Sequence, residues 1–431
     1  MHLMEIIKYP ARESWSHIVE RPHLDAQTLS DTVSALLSDI RRRGDAAVRE
    51  CVERFQGVAL DRFEVSPEEM EAAEAAVSDE LKAAIAAAAA NITRFHASQA
   101  MPLHKVETTP GVVCWQKSVP IQRVGLYIPG GTAPLFSTVL MLAIPARVAG
   151  CPEIVLCSPC APDGKINAAV LYAARVAGVH RIYKLGGVQA IGAMAYGTES
   201  VPRVYKIFGP GNQYVTEAKQ QITRQGVAID MPAGPSEVAV VADASSDMTF
   251  VASDFLSQAE HGADSQSVLF TTDESVIEPL LAEIEKQLSA LSRRSLTEKS
   301  LAHSRIVLLR DKDELVDMVN LYAPEHLIIQ CADYAEVAER VVNAGSVFLG
   351  PYTPESAGDY ASGTNHTLPT SGYARAYSGV NLDSFIRKIT FQEISRDGLL
   401  RLGPVIEVMA ANEGLDAHKN AVTLRLGKVK S

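Results

Sequence analysis

Apolar residues in the first hundred positions recur with the period of an α-helix. The pattern runs through 33–40 and resumes at 48–55, after Gly44 and Asp45 interrupt it. Residues 66–69, Ser-Pro-Glu-Glu, combine a capping serine, a first-turn proline and the acidic partner of a capping box. We therefore predict that this region is helical and that an alanine-rich helix follows the capping box to about Phe95.

From Pro120 onward the pattern changes to short apolar strands that alternate with helices. The predicted strands fall into two series, 123–128, 153–158, 181–186 and 203–208, then 237–243, 267–272, 305–310, 326–330 and 346–350. Strands that alternate with helices in short units predict parallel α/β sheets. We expect two sheets built to one plan, in 120–233 and 236–350, followed by a long polar loop at 351–371 and a small helical tail.

Composition excludes several classes of protein without indicating a partner. The chain has 431 residues, of which 47% are hydrophobic, so it can bury a large core. Its 40 Lys and Arg against 51 Asp and Glu give a net charge of −11, which offers no electrostatic footprint for nucleic acid or an anionic membrane. The sequence shows neither an apolar run of membrane-spanning length nor the pattern of a signal peptide, so we expect a cytoplasmic protein.

The six cysteines do not suggest a disulfide framework. Cys157 and Cys160 form a CxxC pair, but a redox or zinc role needs a second pair or an active-site context, so we predict small buried hydrophobic residues. A thiol nucleophile is conceivable at Cys114 or Cys151. Neither has an adjacent His or Lys in sequence to lower its pKa, and we do not assign that role.

Two glycine-rich turns follow predicted strands, at 185–192 and 208–212. Each can bring backbone N–H groups or a helix N-terminus to a phosphate, although such turns are common in α/β proteins. The sequence contains no GxGxxG after a strand and no Walker A, HExxH or GxSxG motif. These turns therefore allow a nucleotide site but do not by themselves indicate one.

Two stretches that contain histidine are candidates for chemistry at ordered elements. Asp254, Gln258 and His261 are spaced i, i+4 and i+7, so they share one helix face, which is either a metal or substrate platform or a solvated surface. Glu325 and His326 open an apolar strand. An adjacent acid and imidazole can divide the work of proton transfer, and the alternative is a turn with exposed charges.

Two further stretches add carboxylates and imidazoles from distant parts of the chain. They hold Glu355, Asp359 and His366 in the polar loop, and Glu413, Asp416 and His418 in the tail. Such groups from several segments are what a zinc or manganese site requires. The residues therefore favour a metal enzyme and leave its substrate open.

Seven stretches, in order along nearly the whole chain, resemble the histidinol dehydrogenase family. They are VGLYIPGGTAPLFSTVLM, KLGGVQAIGAMAYGT, KIFGPGNQYVTEAK, DMPAGPSEV, SQAEHGADSQS, APEHL and ESAGDYASGTNHTLPT, and ANEGLDAHKNAV extends the match into the tail. The resemblance implies oxidation of L-histidinol to L-histidine with two NAD, through L-histidinal that stays bound. It also implies one zinc ion per subunit and the last step of histidine biosynthesis.

The resemblance further implies roles for individual residues. The catalytic pair is Glu325 and His326, with His326 as the base in both hydride transfers and Glu325 activating water for attack on the aldehyde. The implied zinc ligands are Gln258, His261, Asp359 and His418. The implied substrate contacts are Ser236, Glu413, His326 and the four zinc ligands. The implied NAD contacts are Tyr127, Gln189 and Asn212. His366 either supports the site loop or serves packing.

The resemblance implies an α/β fold of two similar, incomplete Rossmann-like domains of the aldehyde-dehydrogenase type, with small extended terminal segments. The expected domains are an N-terminal extension at 1–22, a discontinuous substrate and zinc domain at 23–119 and 234–371, an NAD-binding domain at 120–233, and a dimerisation tail at 372–431. We expect the N-terminal helices to fold onto the second sheet. In the implied homodimer, Glu413 and His418 complete the partner's site.

Two alternatives stay open beside this assignment. One is a paralogous zinc- and NAD-dependent dehydrogenase that oxidises another small alcohol. The other is a metal-dependent hydrolase in which Glu325 activates water without a redox step.

Overall fold

The computed structural model describes residues 4–21, 26–130 and 134–430. The chain forms two compact units, Met1–Ser98 with Gln122–Phe385, and Gln99–Ile121 with Ile386–Ser431. The described helices are α1 (Trp15–Ile18), α2 (Ala26–Arg43), α3 (Asp45–Gln56), α4 (Pro67–Ala76), α5 (Asp79–Ala97), α6 (Phe136–Val148), α7 (Ala168–Ala177), α8 (Gly187–Tyr196), α9 (Gln213–Thr223), α10 (Met248–Ala259), α11 (Ile277–Leu288), α12 (Arg294–Leu301), α13 (Lys312–Tyr322), α14 (Tyr334–Glu339), α15 (Arg396–Asn412) and α16 (Asp416–Lys430). The described strands are β1 (Glu5–Lys8), β2 (Lys105–Thr109), β3 (Val112–Pro120), β4 (Arg123–Tyr127), β5 (Glu153–Cys157), β6 (Arg181–Tyr183), β7 (Lys206–Phe208), β8 (Ala228–Ile229), β9 (Glu237–Val241), β10 (Gln266–Thr271), β11 (Arg305–Leu308), β12 (His326–Ile329), β13 (Ser346–Leu349) and β14 (Ile386–Ile394).

The first unit contains two parallel sheets with the same strand order. The first sheet runs β6-β5-β4-β7-β8 and the second β1-β11-β10-β9-β12-β13. If the strands are numbered 1 to 5 in chain order, starting at β4 in the first sheet and at β9 in the second, both sheets have the spatial order 3-2-1-4-5. This order matches the first five strands of a dinucleotide-binding fold. The prediction of two incomplete Rossmann-like sheets built to one plan is therefore confirmed.

The second sheet has an additional edge strand that the sequence did not predict. β1 pairs in parallel with β11, from Glu5 opposite Arg305 to Lys8 opposite Leu308. It lies within the segment expected to be an N-terminal extension. Four residues are too few to show a clear strand alternation, so the hydrophobic pattern gave no signal for this strand.

The second sheet is covered by apolar residues on both faces. All residues of β9 are buried, and the four residues 238–241 alternate between two core clusters. Val238 belongs to the cluster that contains Phe255 of α10, and Ala239 to the cluster that contains Tyr322 of α13. A parallel strand buried on both faces reads as a continuous apolar run, which is how the sequence identified it.

Helices α2–α5 pack against the helices of the first sheet, so the expectation that the N-terminal helices fold onto the second sheet is wrong for these four; the short helix α1 packs in a core cluster of the second sheet. α2 contacts α8 and α9, α3 contacts α8, α4 contacts α7, and α5 contacts α6. α6 and α8 are apolar around most of their circumference and must be covered on their outer sides. Gly192 of α8 allows this, because a Cβ there would lie 3.0 Å from the Cδ1 atom of Ile40 in α2. Apolar as α6 is, none of the helices in the described ranges combines the length and hydropathy needed to cross a bilayer.

The predicted capping box begins α4. The Ser66 side chain accepts a hydrogen bond from the Glu69 N–H, and the Glu69 side chain accepts one from the Ser66 N–H. The alanine-rich segment is divided at Val77, which is extended, and Ser78 then caps α5. The capping prediction is confirmed, with a break between two helices.

The second unit contains a three-stranded antiparallel sheet and two helices. β14 pairs with β3 over nine residues, and β3 pairs with β2. Trp115 of β3 stacks on Phe391 of β14, with 5.5 Å between the ring centroids. The sequence predicted helices for the tail, which α15 and α16 confirm, but not the strands β2, β3 and β14.

Candidate active site

A cleft of about 640 Å³ in the first unit is lined by segments that belong to both parallel sheets. From the first sheet it receives the turn 209–213, between β7 and the start of α9. From the second it receives Ser236 before β9, His261 after α10, and Glu325 before β12. A cleft of this volume suits small-molecule ligands.

Glu325 and His326 are buried together at the start of β12. α13 ends at Tyr322, and Ala323 adopts a left-handed conformation (φ 51°) that turns the chain toward this pair. The Nδ1 atom of His326 lies 3.8 Å from Glu325 Oε2, and Oε2 accepts a hydrogen bond of 3.0 Å from the Glu237 N–H. The predicted pair is thus a buried one rather than an exposed turn.

Two carboxylates from the polar loop face the same imidazole. Asp359 Oδ1 lies 3.4 Å from His326 Nε2, and Glu355 Oε1 lies 3.9 Å from His326 Nδ1. Asp359 sits in a π-helical turn at Ala357–Ala361, a local irregularity that is often found at functional sites. Both ring nitrogens of His326 therefore face carboxylates.

Burial and charge shift the pKa of both members of the pair. Burial raises the pKa of Glu325 to about 8, against the opposing effect of the His326 charge. Burial acts against a charge on His326, but the carboxylates of Glu355, Glu325 and Asp359 outweigh it and raise the pKa of His326 to about 10. A cation bound to these carboxylates would offset their negative charge and so lower the pKa of His326.

The residues near His326 fit a metal ion. Ligand atoms of His261, Glu355 and Asp359 all lie within 4.8 Å of one another. Within the described parts of the chain, neither amide atom of the buried Gln258 and neither carboxylate oxygen of Glu355 has a hydrogen-bond partner. Buried polar atoms without partners are costly, and a metal ion satisfies such oxygens. The structure brings two of the predicted zinc ligands, His261 and Asp359, together with Glu355, and Gln258 lies next to His261, whose N–H donates to the Gln258 carbonyl oxygen.

Asp254, which shares the helix face of Gln258, has a different role. Its Oδ2 atom accepts a hydrogen bond of 2.6 Å from the Gln330 amide, and burial raises the pKa of Asp254 to about 7. Asp254 is thus engaged with Gln330 at the end of β12. The periodicity that grouped it with the metal candidates identified the buried face but not this partner.

His366 connects the polar loop to the first sheet. Its Nδ1 atom lies 2.9 Å from the Asp359 carbonyl oxygen, and its Nε2 atom lies 3.1 Å from the Thr138 hydroxyl of α6. Both ring nitrogens therefore have partners within the fold. This arrangement fixes the backbone of the turn that carries Asp359.

The three predicted NAD contacts lie at or after the carboxyl ends of first-sheet strands: Tyr127 ends β4, Gln189 is in α8 after β6, and Asn212 follows β7. Asn212 lines the cleft and caps α9 by accepting hydrogen bonds from the N–H groups of Tyr214 and Val215. Tyr127 and Gln189 are buried near the start of α8. The Tyr127 hydroxyl accepts a hydrogen bond from the Gly187 N–H, and burial raises the pKa of Tyr127 to about 12.

A buried ion pair that the sequence analysis missed holds the turn that carries Asn212. Lys219 and Asp230 lie 2.5 Å apart, and both are almost fully buried. Lys219 also donates to the Gly209 carbonyl oxygen, and Asp230 accepts from the Gly209 N–H. Lys219 stands at helical spacing from the buried Val215 and Ile222, which is the signal that could have placed it in the interior.

The remaining predicted site residues differ in where the structure places them. Ser236 lines the cleft with Glu325 and His261. Glu413 and His418 belong to the second unit, where both are exposed at the end of α15 and on α16. Their implied roles in zinc and substrate binding stay predictions.

The CxxC pair lies in the core rather than at the cleft. Cys157 is fully buried, Cys160 is nearly so, and both are thiols. Burial raises the pKa of both, which keeps them protonated and unreactive. Their predicted role as small buried hydrophobic residues is confirmed.

Comparison with known proteins agrees with this geometry over the whole chain. The histidinol dehydrogenase family model matches residues 19–426. Histidinol dehydrogenase of Bacteroides thetaiotaomicron is 61% identical over 428 residues, which cover 99% of this chain and 100% of that protein. The corresponding enzyme of Xanthomonas oryzae pv. oryzae is 55% identical over 403 residues, with 93% of each chain covered. The crystal structure of histidinol dehydrogenase from Elizabethkingia anophelis superposes with a TM-score of 0.98 at 52% identity, with 100% of both chains covered. The chain therefore belongs to the histidinol dehydrogenase family of oxidoreductases.

Proposed function

We propose that the chain oxidises L-histidinol to L-histidine in two NAD-dependent steps through bound L-histidinal, the last step of histidine biosynthesis. The observation that carries this proposal is the buried Glu325–His326 pair, which adjoins the metal candidates His261, Glu355 and Asp359. Glu325 and His261 also line the cleft that Asn212 reaches from the first sheet. An acid–base pair, a cation site and a nucleotide turn are the parts that a metal-assisted alcohol oxidation needs.

His326 is the base for the alcohol in this mechanism. The imidazole accepts the hydroxyl proton at Nε2, the nitrogen that faces Asp359, and is held in place by burial. NAD, when bound, would accept the hydride, and Asn212 is one of the residues that would hold it. After the first oxidation, His326 releases its proton to solvent, and in the second step it accepts the hydroxyl proton of the hydrated aldehyde.

Glu325 activates water for the second oxidation. An aldehyde yields hydride readily only after water has added to its carbonyl carbon, so the step needs a base of its own. Glu325 is nearly completely buried, and its Oε2 atom is fixed beside His326 by the hydrogen bond from the Glu237 N–H. Burial raises its pKa, so the ionised carboxylate is a stronger base than an exposed one. Its proximity to His326 lets one site carry out both oxidations while the reactive aldehyde stays bound.

Zinc would be held by Gln258, His261 and Asp359, and when bound it orients the substrate and stabilises negative charge on oxygen. Glu355 adjoins these ligands with both oxygens buried. Ser236 lies at the cleft wall, where it can donate to the substrate. The proposed homodimer, in which Glu413 and His418 complete the neighbouring subunit's site, rests on the family resemblance. The cytoplasmic location likewise stays a prediction.

The stoichiometry of NADH formation tests this function. We expect two NADH per histidinol, and loss of both after a chelator removes the metal. One NADH with released aldehyde would refute the second step, and absence of NADH would refute the dehydrogenase. NADH formation from another small alcohol in preference to histidinol would favour the paralogue.

Metal content supplies a readout that does not depend on activity. Asp359→Asn is expected to lower the zinc retained after dialysis, because it removes one of the clustered ligand oxygens. Asp79→Asn is the matched control, since Asp79 is a fully exposed residue of α5 that belongs to neither described group of candidate metal ligands. Equal zinc content in both variants would contradict the assigned ligand set.

A further inference from the structure

Arg21 occupies a buried position in the N-terminal segment that the proposed mechanism does not use. Its guanidinium lies over the Tyr322 ring, 3.8 Å from the centroid. Its Nε and Nη2 atoms each lie 2.8 Å from one oxygen of Glu237, which is a bidentate ion pair. The exposed fraction is 10% for the Arg21 side chain and 1% for that of Glu237, so solvent barely screens this pair.

The same guanidinium joins the two segments that place Glu325. Besides the pair with Glu237 at the first position of β9, it donates to the carbonyl oxygen of Tyr322, the last residue of α13. Glu325 follows Tyr322 by three residues, and its Oε2 atom accepts the hydrogen bond from the Glu237 N–H. Arg21 thus binds Glu237, whose N–H donates to Glu325, and also the end of α13, which leads to Glu325.

Loss of Arg21 would affect this arrangement through charge as well as through hydrogen bonds. Glu237 would become a buried carboxylate without a cation, which is strongly unfavourable in a protein interior. The start of β9 would then have to move, or the carboxylate would have to change its charge. Either response displaces or perturbs the Glu237 N–H that donates to Glu325.

We propose that Arg21 is a positioning residue for Glu325, acting through Glu237 and the end of α13. The inference rests on the proposed function, in which Glu325 serves aldehyde oxidation and His326 serves both steps. It therefore assigns the N-terminal segment a specific effect on the second half-reaction. A residue that only supported the fold would affect both half-reactions alike.

The test compares the two half-reactions in full-length variants. Histidinol and histidinal are supplied separately with NAD, and kcat is measured for each. For Arg21→Met we expect the ratio of histidinal to histidinol turnover to fall about tenfold, because small displacements of a catalytic group have effects of this order. Arg21→Lys, which keeps the charge but not the bidentate geometry, should fall between wild type and Arg21→Met.

Arg305→Met is the matched control for anchoring of the N-terminal segment. Arg305 also binds this segment, at the carbonyl oxygens of His17 and Ile18, but does not contact Glu237. Its ratio of half-reactions should stay at the wild-type value. The double variant Arg21→Met/Glu237→Gln, which leaves no uncompensated charge, should recover part of the ratio.

Equal loss of both half-reactions in Arg21→Met, or an unchanged ratio, would overturn the inference while wild-type turnover upheld the proposed function. If wild type forms no NADH from either substrate, the proposed function fails and this inference with it. Thermal unfolding shows whether each variant is folded. If Arg21→Met does not fold, the ratio in Arg21→Lys decides: a fall supports the inference and a wild-type value contradicts it.

Discussion

The two parallel sheets share one strand order but present opposite ends to the cleft. The first sheet contributes the turn 209–213 after the carboxyl end of β7, where open α/β sheets usually bind ligands. The second contributes Ser236 and Glu325, which precede the amino ends of β9 and β12. One side therefore offers glycine-rich backbone, and the other offers buried ionisable groups. Two sheets with the same topology therefore serve different chemistry, because the residues at their strand ends differ.

The largest expected effect comes from the second sheet. His326→Asn should lower kcat by about 10²–10⁴-fold for histidinol and for histidinal, since a positioned general base contributes on that order. The measurement is turnover with each substrate supplied separately, with thermal unfolding as the control for folding. Retained oxidation of histidinol would contradict the assignment of His326 as the base.

Glu325→Gln, also on the second-sheet side of the cleft, should separate the oxidation of histidinol from that of histidinal. We expect turnover of histidinal to fall by about 10²-fold, because the amide cannot accept a proton from water, with turnover of histidinol largely retained. Single-turnover measurements with each substrate give the two rates. A similar loss in both half-reactions would show that Glu325 does not act in the second step alone.

A substitution in the first sheet should act on the nucleotide instead. Gly209 has a φ of 128°, and a Cβ there would overlap the carbonyl oxygen of Tyr127. Gly209→Ala is expected to raise the KM for NAD by about tenfold, because strain of about 1–3 kcal/mol displaces the turn that leads to Asn212. The KM for histidinol should change little.

Gly226→Ala is the control for the backbone conformation alone. Gly226 also has a positive φ, of 85°, but a Cβ there would have open space around it. We expect its KM for NAD to stay at the wild-type value. A parallel rise in both glycine variants would mean that general loss of stability, rather than the turn at Gly209, explains the effect.

The smallest effect is expected at the CxxC pair of the first sheet. Cys157→Ala should leave turnover within about twofold of wild type and lower the free energy of unfolding by about 1 kcal/mol, since Cys157 is a buried packing residue. Chemical denaturation and steady-state kinetics give the two values. A large loss of turnover at unchanged stability would indicate a catalytic role that its place in the core does not suggest.

The apolar patterns of the sequence predict the longer helices and strands of the fold but not the short strands. The strands after Pro120 were found because continuous apolar runs identify strands buried on both faces. β1 and β8 have four and two residues, which is too short for a period to show. The packing of α2–α5 against the first sheet depends on the apolar circumference of α6 and α8, which the sequence of these two helices also shows.

In the site, spacing and motifs identified residues but not their partners. The i, i+4, i+7 pattern placed Gln258 on a shared face with Asp254, yet only the fold shows that Asp254 is engaged with Gln330. Arg21 was not predicted because its partners are 216 and 301 residues away. Contacts between such distant positions leave no periodic trace in one sequence.

The edge strand β1 has a consequence for the order of events during synthesis of the chain. The first sheet uses strands from β4 to β8, so it can close when about half of the protein has left the ribosome. β1 precedes the first sheet in the chain but pairs with β11, and Arg21 binds Tyr322, which is translated 301 residues later. The strand β1 therefore docks after the first sheet can close, and its docking reports that about three quarters of the 431 residues have been translated.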